Sequence, residues 1–176
     1  MVIIKKLDSF FSKLGHDISL FNPKPSLIVS AVTLCFGIIS WLIGGTTDKA
    51  MVFFLFPRSA VPLGLMYFLW GISFAFVGLI IGGLLFGCEK YKKKDSLKTV
   101  IFIAFSLFFT FCIHSSFFRS LSPFLTFILI FVAEIFCFLA IMSAIRYHAL
   151  WSICLILHFL WLFYNGYVSI SISLIN

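Results

Sequence analysis

Two side chains that can move a proton lie deep inside apolar stretches of this chain, Glu134 and His158. Glu134 is eleven residues from Pro123 and eleven from Ile145, and His158 lies nine residues into the next apolar stretch. At about 1.5 Å per helical residue, the two would reach similar depths on neighbouring helices. In contact, they could relay a proton or grip a polar atom of a ligand; the same contact would equally serve as a structural hydrogen bond. Trp161, Tyr164 and Asn165 follow on the same stretch. Positions 158, 161 and 165 share one helical face, and Tyr164 adjoins it. An inward face of indole, imidazole and amide suits a flat, apolar ligand, with tight packing of satisfied polar tips as the alternative.

These residues must be held by elements made for lipid. Of the 176 residues 62% are hydrophobic and 11% charged, and the mean hydropathy is +1.16. A water-soluble domain of this size needs more charge to cover its surface. The apolar stretches run over about 26–43, 62–88, 98–115, 123–145 and 149–174. Each is long enough to cross a hydrocarbon core of about 30 Å as a helix. The expected fold is all-α: an integral membrane five-helix bundle over 26–176, preceded by an amphipathic segment over 1–25. In that segment Ile3, Leu7, Phe10 and Leu14 recur at helical spacing with lysines opposite, as in a helix lying on a membrane surface. Asn22-Pro23-Lys24-Pro25 ends it.

Charge sets the expected orientation. Lys5, Lys6, Lys13, Lys24, Lys90, Lys92, Lys93, Lys94, Lys98 and Arg146 fall on one side of the spans, and Lys49, Arg58 and Arg119 on the other. The positive-inside rule then puts the N-terminus in the cytoplasm and the C-terminus outside, in a cell membrane expected to be bacterial. His114 and Arg119 at one rim, and Arg146, Tyr147 and His148 at the other, are expected to be interfacial anchors. The net charge of +7 comes from clusters beside the spans, which leaves no basic surface for nucleic acid.

Two features bear on packing and access. Residues 44–61 form a long loop whose stretch Met51–Phe56 is apolar yet too short to span; it is either a lid over an intrabundle pocket or an interfacial anchor. The second span carries six of the eleven glycines. Gly71, Ala75, Gly78 and Gly82 line one face, where another helix can approach closely, from within the chain or from a homodimer partner. The five cysteines lie in or at the ends of apolar spans without a C-x-x-C, so neither a disulfide framework nor a metal site is expected. No phosphate loop, dinucleotide fingerprint, H-E-x-x-H or G-x-S-x-G occurs, and enzymatic activity is not expected.

The segment Pro62-Leu-Gly-Leu-Met-Tyr67-Phe-Leu-Trp-Gly71 resembles the second-helix start of the translocator protein family, the tryptophan-rich sensory proteins (TspO/MBR). His158-Phe-Leu-Trp161-Leu-Phe-Tyr-Asn and the final Leu174-Ile-Asn176 are similar to its fifth helix and its ending. Phe117-Phe118 and Pro123 fall where the family has F-F-G and P, and the overlay covers about 27–176. Leu63, Ile113 and Ile145 stand where the family has tryptophan, and Thr110 where it has asparagine. The resemblance implies five helices, a pocket beneath the first loop, and a hydrophobic or porphyrin-like ligand, with no required cofactor. Its ligand residues here would be Trp161, Tyr164, Asn165, His158, Glu134 and Tyr67. Two other functions fit the residues: a small proton-coupled transporter using Glu134 and His158, and a ligand-free subunit or interaction protein.

Overall fold

The computed structural model describes residues 2–45, 53–87 and 93–176. Residues 46–52 and 88–92, with Lys49, Cys88, Lys90, Tyr91 and Lys92, lie outside the described residues. Among the described residues there are six α-helices, one π-helical turn and no strands. The helices are α1 (Val2–Leu20), α2 (Pro23–Gly44), α3 (Leu63–Phe86), α4 (Lys93–His114), α5 (Pro123–Ala144) and α6 (Ala149–Ile175). The π turn, Ser115–Arg119, continues α4. Five helices, α2 to α6, are long and apolar enough to cross a membrane, as expected for an integral membrane bundle.

Local chemistry fixes the helix ends. Prolines open α2 and α5, where a missing N–H costs nothing. The Ser122 hydroxyl accepts from Leu125 N at 3.3 Å and caps α5. Gly45 ends α2 with φ at +86°, a conformation glycine adopts without strain. The helices close a ring in the order α2, α3, α6, α5, α4, with α4 touching both α2 and α3.

Small residues make the tightest seam. Ser26, Ser30, Thr33, Gly37, Ser40 and Gly44 form the buried stripe of α2. It packs on the glycines of α3: a Cβ added to Gly82 would stand 2.5 Å from Ser26 Cα, and one on Gly78 2.5 Å from Ser30 Cα. The glycine face is therefore filled by α2, from within the chain. Hydroxyls lock the helices by bonding to neighbouring backbones: Ser30 to Ala75 O (2.7 Å), Ser40 to Phe111 O (2.6 Å), Ser106 to Ala133 O (2.9 Å) and Ser169 to Pro123 O (2.8 Å). Each such bond in a membrane protein contributes about 0.6 kcal/mol on average. Large apolar side chains such as Phe36, Phe68, Phe105, Leu157 and Phe163 face outward, where lipid rather than water is their natural solvent.

The amphipathic helix does more than lie beside the bundle. α1 packs against the start of α6, and its Asp17 is buried. Asp17 Oδ2 accepts from Leu150 N at 3.1 Å, and Oδ1 lies 3.4 Å from His148 Nδ1. The other ring nitrogen of His148 is 2.9 Å from Ser96 Oγ on α4. Lys13 donates to Arg146 O at 3.1 Å, and Phe21 packs on Trp151. His148, expected as an interfacial anchor, is instead buried as the centre of a three-helix tie. A carboxylate at the first turn of α6 also meets the positive end of the helix dipole.

Candidate functional site

At the opposite end of the bundle, beneath residues 53–62, lies a cavity of about 40 Å³. Its wall is largely aromatic: Phe56 from the loop, Tyr67 and Trp70 from α3, and His114, Phe117 and Phe118 from the end of α4. α5 adds Thr126 and Ile130, and α6 adds Asn165, Val168 and Ser169. The π turn delivers part of this wall. Ser120 N bonds back five residues to Ser115 O at 3.0 Å, and the wider turn carries the buried rings of Phe117 and Phe118. Single π turns of this kind recur at functional sites.

The cavity has a pinned roof. Tyr164 Oη accepts from Val61 N at 2.9 Å and donates to Ser59 O at 3.2 Å. Asn176 grips Leu55 in both directions, accepting from its N–H at 2.9 Å and donating to its carbonyl at 3.2 Å. Phe54 and Phe56 rest on Phe117 at ring separations of 5.8 and 6.4 Å. The described part of the long loop is therefore folded over the bundle mouth as a cover.

Inside, the polar accounting does not close. Trp70 Nε1 and Asn165 Oδ1 are buried without a hydrogen-bond partner, and so is Trp161 Nε1 nearby. The amide of Asn165 is oriented by donation from Nδ2 to Trp161 O at 2.6 Å, which turns Oδ1 away from its own helix. A buried polar group left unpaired costs about 1–3 kcal/mol. Trp70 meets His114 edge-on at 4.7 Å and Trp161 at 6.4 Å, and His114 also stacks on Tyr67 at 6.2 Å. His114 Nδ1 lies 3.4 Å from Ser40 Oγ. His114 is thus a buried part of the wall; the interfacial anchoring expected for it does not occur.

The six site residues expected from the sequence divide. Tyr67 and Asn165 line the cavity. Tyr164 holds the roof, with Trp161 stacked on it at 5.7 Å. Trp161 and His158 line a separate groove of about 200 Å³ between α3 and α6, where His158 Nδ1 lies 3.2 Å from Ser73 Oγ. Glu134 lines neither space. Its Oε1 lies next to Gly166, which is eight residues, or about 12 Å of helix, beyond His158. The expected Glu134–His158 contact is not formed, for a simple reason. Helical side chains lean toward the N-terminus of their own helix. α5 and α6 run in opposite directions, so the two tips diverge along the bundle axis, and His158 is turned toward α3.

Trp70, His114, Phe117 and Phe118 are wall residues beyond the six expected from the sequence. Trp70 falls within the quoted second-helix segment, beside Tyr67, and Phe117-Phe118 within the quoted F-F match; these were the available signals. Among the described residues no group of three or more His, Cys, Asp or Glu side chains gathers as a metal site would. The fold and its covered cavity define a class, an all-α membrane bundle of five spanning helices with a mouth closed by its own loop. No protein-family model matches the chain, and no curated protein sequence matches it.

Proposed function

We propose that this membrane protein binds a small, flat, apolar ligand beneath its 53–62 cover, in the manner of the TspO/MBR family. The observation that carries this reading is the pair of buried, unpartnered polar atoms in a wall made mostly of aromatic and aliphatic side chains, Trp70 Nε1 and Asn165 Oδ1. A ligand with an acceptor facing the indole N–H and a donor facing the amide oxygen would satisfy both. A porphyrin edge carries such groups, but ligand pockets for molecules of drug size and above run to about 300–1,000 Å³. With only about 40 Å³ free, a tetrapyrrole requires the cover to lift, whereas a single aromatic ring requires only rotation of wall side chains. The Lys/Arg distribution supports a cytoplasmic N-terminus, which puts the covered mouth on the outer side.

The test is a titration of a porphyrin, and in parallel of a single-ring aromatic amide, into the protein in liposomes, followed by tryptophan fluorescence. Trp70→Phe and Asn165→Leu should each weaken binding by about tenfold, the loss of one hydrogen bond in a dry site. Unchanged affinity in both variants would remove this site.

A further inference from the structure

The helix α1 has three faces, and the tie to α6 uses only one of them. Asp17 belongs to that face and is buried against the start of α6. Phe11 and Ile18, seven residues apart, form a second face and are 59% and 57% exposed. An apolar face of this kind settles at the boundary between headgroups and acyl chains. Ser12, Lys13 and His16 form the third, turned between roughly 100° and 200° around the helix from Phe11. With Tyr147, in the turn between α5 and α6, and the edge of Asp17, they line a cavity of about 150 Å³. All five lining side chains are polar, in contrast to the aromatic cavity at the covered end.

Donors dominate this pocket. Lys13 gives one N–H to Arg146 O at 3.1 Å, which holds the ammonium at the rim and leaves it two further N–H groups. Ser12 and Tyr147 bring hydroxyls, and His16 an imidazole. Asp17, the one acid of the lining, is already engaged: Oδ2 accepts from Leu150 N, and Oδ1 lies beside His148 Nδ1. Lys24, Lys94, Lys98 and Arg146 stand at the same end of the bundle and raise the positive potential there.

An ammonium beside converging hydroxyls suits an anion with several oxygens. The depth set by Phe11 and Ile18 is that of phospholipid phosphates. A soluble phosphate ester would meet the donors alone, whereas a phospholipid also covers Phe11 and Ile18 with its acyl chains. We propose that the pocket between α1 and Tyr147 binds the headgroup phosphate of an anionic membrane phospholipid, with Lys13 as its main contact. This does not rest on the covered cavity binding a ligand.

The test is native mass spectrometry of the full chain in detergent, with phosphatidylglycerol or phosphatidylcholine added. The wild type should retain phosphatidylglycerol about tenfold more tightly. Lys13→Ala should weaken that binding by about tenfold, and Lys13→Arg, which keeps charge and donors, should restore it. Tyr147→Phe should weaken it by about threefold, the loss of one hydroxyl. Lys98→Ala serves as a control, since Lys98 lies at the same end but over the Phe102 ring, outside the pocket; its loss should be clearly smaller than that of Lys13→Ala. Equal retention of the two lipids would overturn the site, and so would equal losses in Lys13→Ala and Lys98→Ala, which general charge alone would produce. Soluble glycerol 3-phosphate should not displace the lipid at matched concentration; displacement would overturn the assignment to a lipid.

Discussion

The two ends of the bundle treat buried polar groups in opposite ways. At the α1 end, Asp17, His148 and Ser96 are buried and partnered, and Asp17 also caps the first turn of α6. At the covered end, Trp70 Nε1 and Asn165 Oδ1 are buried and partnerless beside a cavity. The first arrangement stabilises the fold, whereas the second costs stability, a cost that the proposed ligand would offset. Packing follows the same division. Glycines let α2 touch α3 backbone to backbone toward the α1 end, while aromatic rings around the covered mouth leave space between them.

The contrast can be broken from either side. The largest effect is expected from Gly82→Leu, whose Cβ alone would stand 2.5 Å from Ser26 Cα; overpacking against backbone should cost about 3 kcal/mol or more, read as loss of folded protein in detergent unfolding. Asp17→Ala comes next. It strands His148 Nδ1 and the Leu150 N–H together, and a drop of about 2–3 kcal/mol should appear in the same measurement. Tyr164→Phe removes the bonds that pin Val61 and Ser59. It should cost about 1 kcal/mol and speed hydrogen exchange across 53–62 while leaving α3 protected. The smallest effect sharpens the comparison most: Asn165→Leu removes an unpaired acceptor and should leave stability unchanged or raise it by about 1 kcal/mol, even though the residue is buried. A large loss of stability in that variant would mean that Asn165 belongs with the partnered groups of the other end.

Much of the site was legible only in pieces. Tyr164 and Asn165 could be picked out because aromatic and amide groups inside apolar spans need a reason to be there, and Tyr67 only through the second-helix resemblance. Their separate roles, two in the wall and one in the roof, depend on how α3, α6 and the loop converge. His114 and His148 read as anchors because each lies near a span end, where polar residues commonly face the interface. Their burial follows from neighbours far away in the chain, Ser40 for one and Asp17 for the other.

Apolar run length, proline and glycine punctuation and the scarcity of charge determined the five spanning helices and their ends to within a few residues. Those features act locally, through the cost of exposing backbone or charge to lipid. Which polar groups meet was decided by the tertiary structure alone. Helices with apolar exteriors on every side carry little record in their sequence of which face points inward. The lean of side chains along antiparallel helices parted Glu134 from His158, and one wide turn after His114 brought Phe117 and Phe118 into the wall.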